Sequence, residues 1–258
     1  MRAPVDTIVA PLFPTKLPWV NAAGRSEIGG QASIIQRGRP MLVEFWDFCR
    51  PNSLRTLPYV KAWHERYEPA GLRTIGVHCP GFDLSREEQA VRSAVERLDI
   101  RYPVLIDSEL EVWQDYGNQG WPARYLFDGR ARLFDYHHGE GGYAETELAI
   151  QELVGVEREP LGPVRAEDAP GARLLPQTED QPGAYSGPYE AGGVWGVFDG
   201  AGAVRVNAGA TPTAIALTIA GAGAYPLIEH ERHTAGVLEL ELGAGVECLA
   251  TCFTPGLA

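Results

Sequence analysis

Apolar and polar positions follow two different rhythms along this chain. From Met41 to Trp46, "MLVEFW" is apolar except for Glu44, the near-unbroken run required of a parallel strand buried on both faces. In "SLRTLPYVKAWHERYEPAG" that follows, Leu54, Leu57, Val60, Ala62 and Trp63 recur near helical spacing, with Pro58 expected to kink the helix and Glu68 to Gly71 to end it. "LRTIGVHCP" predicts a second strand, and "DLSREEQAVRSAVERLDI" a second helix whose start signal is Ser85 ahead of Glu87 and Glu88. "YPVLIDS" predicts a third strand, and "ARYLFDGRARLFDYHH" a hairpin turning at Asp128 and Gly129, where glycine would supply positive φ. "YAETELAIQELVG" closes the series as an amphipathic helix. The order β-α-β-α-β-β-α predicts an α/β domain with helices on both faces of its sheet.

The rhythm then changes. "EREPLGPVRAEDAPGARLLPQTEDQPGAYSGP", Glu157 to Pro188, is dense in proline, glycine and acids, and the domain boundary is expected within it. Beyond it "VWGVFDGAGAVRVN", "TAIALTIAG" and "GVLELELGAGVECLATCF" read as short strands divided by glycine-rich turns, which predicts a small all-β sandwich or jelly roll. The expected division is an α/β domain over residues 1–157, a linker over 158–188 and a β domain over 189–258.

Composition narrows the function classes. With 258 residues and 45% hydrophobic content the chain has enough material for one large domain or two modest ones. A formal charge of -12 would repel phosphate backbones and anionic lipid, so neither nucleic acid nor a membrane surface is the expected partner. Pro11, Pro14 and Pro18 break the apolar character of the start, and no secretory-type run is seen, which predicts a cytoplasmic protein. Cysteines at positions 49, 79, 248 and 252 form neither a disulfide framework nor paired zinc motifs, so any cysteine chemistry is local.

Several separated motifs in the first region carry a resemblance. Trp46, "LRTLPY", "KAWHERY", "IGVH", "YGNQGWPARYLFD" and "GEGGYAETELAI" together resemble the thioredoxin-like, TlpA- and DipZ-type thiol-disulfide oxidoreductases, relatives of the peroxiredoxins, over roughly Val9 to Val154. The β region resembles the carbohydrate-module-like domain that follows the thioredoxin domain in DipZ-type proteins. The implied fold is therefore a thioredoxin-like α/β domain followed by a β domain.

The family's C-x-x-C is not kept. Counting from Trp46, Arg50 and Ser53 occupy the two cysteine positions and Cys49 lies one residue upstream; a second register reads Cys49-Arg50-Pro51-Asn52 as C-x-P-x after a one-residue deletion. In either register the dithiol is absent. A C-x-x-C pair works because the second thiol releases the mixed disulfide formed on the first, and Ser53 can give a hydrogen bond but cannot resolve. Cys49 still precedes a helix N-terminus and adjoins Arg50, both of which favour a thiolate; its alternative role is that of a small buried apolar residue. Adjacent parallel strands would bring Cys79 to the same sheet edge, making it a candidate resolving thiol, provided the side chains converge. The resemblance implies a cis bond before Pro122, with Trp46, Trp121 and Pro122 on the substrate side, and makes Glu44 the buried acid of proton transfer.

Weaker candidates have plainer readings. "HHGEGGY" lacks a P-loop ending and fits a strand-to-helix turn. His230 and His233 lack a third obvious metal ligand. Cys248 and Cys252 are read as core, and the aromatic residues Tyr185, Tyr189, Trp195 and Phe198 as core or interdomain packing in preference to a sugar-stacking face. Two functions remain: a thiol oxidoreductase acting without cofactor or metal on a thiol or disulfide protein or a small peroxide, and a binding or scaffold protein that has kept the groove.

Overall fold

The computed structural model describes residues 8–22, 38–208 and 215–258. The expectations that rest on Met1 to Thr7, and the part of "TAIALTIAG" before Ile215, lie outside the described residues. The chain divides into two compact units, the first of Met1–Asp47 and Asn52–Gly162, the second of Phe48–Pro51 and Pro163–Ala258.

In the first unit β1 (Trp19–Val20), β2 (Met41–Trp46), β3 (Arg73–His78), β4 (Val104–Ile106), β5 (Ala123–Phe127) and β6 (Leu133–His138) form one sheet of order β1-β4-β3-β2-β5-β6. Strands β2, β3 and β4 run parallel and β5 and β6 antiparallel, so the strand before the first helix lies beside the strand after it. Every residue of β2 is buried. Alternation along the strand sends Met41, Val43 and Phe45 into an apolar cluster with Ile75, Val77, Leu105 and Tyr125. Leu42, Glu44 and Trp46 therefore point to the opposite face.

Helix α1 (Pro51–Tyr67) continues through Pro58 and buries Leu57, Val60, Trp63 and Tyr67 at helical spacing. Pro51 opens it, in the first turn, where the backbone N–H groups have no helical acceptor and a missing one costs no helical bond. Helix α2 (Glu88–Arg97) begins later than expected. Ser85 instead holds the tight turn Asp83–Arg86, its Oγ accepting from Phe82 N–H at 3.3 Å. The hairpin turns as expected but by another device: the left-handed residue is Ala131, φ 60°, not Gly129. Asp128 Oδ1 accepts the N–H groups of Arg130 and Arg132 at 2.8 and 2.9 Å, and this side-chain turn carries Ala131 into positive φ. "HHGEGGY" is the turn into α4 (Tyr143–Val154). A Cβ at Gly142, φ 60°, would stand 2.6 Å from the His137 ring. A short helix, α3 (Glu111–Asp115), precedes β5.

The second unit is all-β. Its larger sheet is antiparallel in the order β11 (Ile215–Ile219), β10 (Gly202–Ala208), β12 (Gly223–Leu242), β9 (Gly187–Gly200), β13 (Val246–Thr254), β8 (Gln181–Pro182). The strands are longer than the glycine pattern implied, 14 residues in β9 and 20 in β12, because register shifts after Pro226 and Glu229 let one strand absorb a proline and a charged stretch. β7 (Leu174–Leu175) pairs with β14 (Gly256–Leu257), so part of the stretch expected as linker carries strand structure. Val194, Phe198, Val204, Leu238 and Phe253 make an apolar core that includes Cys248. Tyr189, Trp195 and Cys252 are buried as well.

Candidate active site at the C-terminal edge of the first sheet

All three parallel strands of the first unit end on an ionisable group at the sheet edge where α/β proteins place their sites. Asp47 follows β2, His78 ends β3 and Asp107 follows β4; all three are fully buried. Asp47 Oδ1 stands 3.4 Å from His78 Nε2, and Oδ2 accepts Gly81 N–H at 2.8 Å. Ser85 Oγ lies 3.3 Å from that same Oδ2 and 2.9 Å from the Phe82 carbonyl, one proton between two acceptors. The carboxylate thus ties the end of β2 to the loop that follows β3.

Asp107 does similar work one strand over. Its Oδ1 accepts Glu111 N–H at 2.8 Å and Oδ2 accepts Trp113 N–H at 2.9 Å, satisfying amides at the start of α3. Cys79 donates its Sγ–H to Asp107 Oδ2 at 3.4 Å. Burial, then the Asp107 charge and this hydrogen bond, push the Cys79 thiol well above its ordinary pKa. Cys79 is therefore a protonated thiol with a carboxylate in reach of its proton.

Cys49 and Arg50 are the last residues of the turn between β2 and α1. Cys49 takes part in no disulfide and has 0% exposure. Ser53, one turn into α1, accepts Asp47 N–H on its Oγ at 3.2 Å and retains its own O–H to give. It closes the strand-to-helix corner.

The Trp121–Pro122 bond is cis. Trp121 donates its indole N–H to the Cys79 carbonyl at 2.9 Å and its ring lies 4.4 Å from Trp113, which seats the loop against Cys79. Trp46, expected on the substrate side, is fully buried, its ring edge-on to His78 at 5.2 Å. An indole so enclosed supports the strand edge from within. Gly76 makes room for it, since a Cβ there would meet Trp46 Nε1 at 3.0 Å.

Glu44 occupies the place expected of a buried acid, with 0% exposure. Its Oε2 accepts the Tyr102 hydroxyl at 3.2 Å. Burial raises its pKa to about 8, against which the Arg124 charge and the Tyr102 hydrogen bond both pull.

Sequence reading singled out Cys49, Arg50, Ser53, Cys79, Trp121, Pro122 and Glu44 but missed Asp47, His78, Asp107, Tyr102 and Arg124. A usable signal was present: three successive apolar runs each close on one titratable residue. In the second unit His230 Nε2 lies 2.9 Å from the Tyr189 hydroxyl and His233 lies 3.6 Å from Glu190, and no cluster of three or more possible ligands occurs among the described residues.

No family model matches the chain. Protein DipZ of Mycobacterium bovis is 31% identical over 166 residues, covering 62% of this chain and 24% of DipZ, so the chain spans about a quarter of that relative's length. Thiol-disulfide oxidoreductase YkuV of Bacillus subtilis is 22% identical over 116 residues, covering 45% of this chain and 78% of YkuV. A solved structure of a thiol-disulfide isomerase from Corynebacterium glutamicum aligns at 21% identity with a TM-score of 0.49, covering 57% of this chain and 98% of that one. Its strand order, its parallel β2–β3 pair around α1 and the DipZ likeness support a thioredoxin-like, redoxin-type fold for the first unit.

Proposed function

We propose that the chain is a thiol oxidoreductase that works with one cysteine in the family's active-site turn and a second on the neighbouring strand. Cys49 is the nucleophile, Arg50 steadies its thiolate, and Ser53 offers a hydrogen bond where the family has its second sulfur. The thiolate attacks a disulfide of a protein substrate, expelling one substrate thiolate and leaving a mixed disulfide on Cys49. Cys79, giving its proton to Asp107, attacks the Cys49 sulfur and releases the second substrate thiolate. The substrate disulfide is reduced, a Cys49–Cys79 disulfide forms, and an external thiol must reduce it for another cycle. With a peroxide the first product is the sulfenic acid of Cys49, and Cys79 displaces water from it. The Trp121–Pro122 loop positions the substrate, and Glu44 holds the proton behind the edge.

The observation that carries this reading is the Cys79–Asp107 hydrogen bond at the end of β3, the parallel neighbour of the strand that leads to Cys49. The complete burial of Cys49 favours a second reading, a binding protein that has kept the fold without its reaction. Alkylation of the folded chain near neutral pH, followed by mass spectrometry of the digest, separates them. The enzyme reading expects Cys49 to be modified faster than a free cysteine of pKa about 8.5, and mild peroxide to yield a reducible Cys49–Cys79 bond that Cys79→Ser abolishes. A Cys49 inert to probe and peroxide when folded, but reactive in denaturant, would overturn it in favour of binding.

A further inference from the structure

The first unit holds a cavity of about 440 Å³ against β5 and β6, inside the range of small-molecule sites, about 300 to 1,000 Å³. Its floor follows from register. Tyr125 stands opposite Tyr136 and Ala123 opposite His138, and past an irregularity after Leu126 the next pair is Phe127 with Leu133. Opposed residues of an antiparallel pair share a face, so the two strands lay their aromatic side chains in one row. One wall is the end of α3, with Asp115 and Tyr116; the other is the segment that carries Ile8, Val9 and Pro11.

Hydrogen bonds hold these walls in place. Leu133 N–H donates to the Ile8 carbonyl and Ala10 N–H to the Ala131 carbonyl, each at 2.8 Å, which fixes the outer segment to β6. The Tyr116 hydroxyl donates to the Pro11 carbonyl at 3.4 Å and joins the two walls. The Tyr125 hydroxyl donates to Asn118 Oδ1 at 3.0 Å. With both hydroxyls engaged by the protein, what Tyr116 and Tyr125 bring to the cavity is aromatic ring. The Tyr116 ring meets those of Tyr125 and Phe127 edge to face at 5.8 and 6.0 Å, and Tyr125 meets His138 at 5.7 Å and 88°. Rings set at such angles turn negative faces toward a shared space, and a face of that kind attracts a cation.

Charge selects the ligand in the same direction. No lysine or arginine is among the residues that line the cavity, and Asp115, exposed at the rim, brings the one formal charge among them, in a chain whose net charge is -12. A carboxylate or phosphate ligand would meet no counter-charge here and would face repulsion from Asp115. Ile8 and Val9, 48% and 59% exposed, carry apolar surface out to the mouth, which suits a ligand with an apolar body.

We propose that this cavity binds a small flat aromatic amine in its cationic form, the ring lying among Tyr116, Tyr125, Phe127 and Tyr136 and the ammonium directed to Asp115. The site lies within the first unit and does not rest on the thiol-exchange reading.

Titration calorimetry of the full chain near neutral pH tests this with three probes that share one ring system: naphthylmethylamine, naphthylmethanol and naphthoate, each substituted at the same ring carbon. The amine should bind one molecule per chain, the alcohol about fivefold more weakly, and the naphthoate at least about tenfold more weakly than the amine. Asp115→Asn, a change at an exposed position, should weaken the amine about three- to fivefold and leave the alcohol unchanged. Leu133→Trp, which fills the floor, should abolish binding of all three; Val9→Trp at the exposed wall replaces it if that variant fails to fold. Absence of saturable amine binding at millimolar concentration overturns the site. So does amine binding that the filling variant leaves intact, or three probes of equal affinity that Asp115→Asn does not separate. None of these results depends on Cys49, whose inertness to alkylation would remove the thiol-exchange reading and leave the cavity as it is.

Discussion

The two units solve the same packing problem with different materials. Among the described residues the first unit buries Glu44, Asp47, Arg55, His78, Asp107, Arg124, Asp135 and Glu147, whereas the buried polar side chains of the second are Thr251 and Thr254. Burying a charge costs several kcal/mol unless hydrogen bonds and counter-charges offset it, while burying Leu or Phe is favourable without any partner. The first unit carries that cost where its strands end and where Glu44 faces Arg124. Its chemistry is to be sought there, and the second unit reads as a body held by volume and strand pairing.

Paired substitutions give the largest effects and test this contrast most directly. Glu147, 1% exposed, accepts Trp63 Nε1 at 3.1 Å, Tyr67 Oη at 2.6 Å and Leu161 N–H at 2.8 Å, and pairs with Arg66 at 3.0 Å. Glu147→Ala should cost about 3 to 5 kcal/mol by denaturant unfolding, because it strands several donors at once. Leu238, fully buried in the second core, should cost about 2 to 5 kcal/mol as alanine. The rescues should differ. Leu238→Met should recover all but about 1.5 kcal/mol because volume is what counts there, whereas Glu147→Met should stay near the alanine value. Equal rescue at both sites would erase the distinction between the units.

A pH experiment reaches the same contrast with a smaller effect. The Glu44 carboxyl, raised by burial from 4.5 to about 8, binds a proton in the folded chain over a range where the unfolded chain has lost it. Stability falls with pH wherever the folded state holds more protons. The Glu44 contribution is therefore fully present below about 4.5 and lost as pH rises through about 8. Unfolding free energies measured at intervals across that window should decline in the wild type and decline less in Glu44→Gln. Parallel curves for the two proteins would show that Glu44 is ionised when folded.

Much of the first unit was legible because strands covered on both faces leave continuous apolar runs, and the strand expected around Met41 to Trp46 is there. The short α3 was not, since five residues give no period, and it depends on Asp107 for its first amides. Half of β12 was missed for a related reason. Pro226 and the charged run after it look like a loop until the register shifts let one strand carry both. At the site, the resemblance supplied Cys49, Ser53, Glu44 and the Pro122 loop. Asp47, His78 and Asp107 escaped because a polar residue ending an apolar run resembles the first residue of a loop, and Arg124 because only the β2–β5 register sets it against Glu44.

The smallest effect concerns Cys79, where the two kinds of burial meet in one side chain. Its sulfur packs in the apolar cluster with Phe45 and Val77, yet its proton is directed at Asp107. If packing alone mattered, Cys79→Ala and Cys79→Ser would differ only by the desolvation of a hydroxyl, and alanine would be the milder change. If the hydrogen bond matters, serine keeps a donor for Asp107 Oδ2 and should be the milder, by about 1 kcal/mol. The order of the two variants in thermal unfolding therefore decides whether Cys79 belongs with the cysteines of the second unit, which are core, or with the ionisable ends of the parallel strands. Reactivity supplies the independent check. A thiol raised by burial and by Asp107 should resist alkylation well past the pH at which a free cysteine reacts, and Asp107→Asn, which removes the charge but keeps an acceptor, should lower the pH at which Cys79 becomes reactive. Were Asp107→Asn to leave that pH unchanged, burial alone would hold the proton, and Asp107 could not be the base that frees Cys79 for resolution.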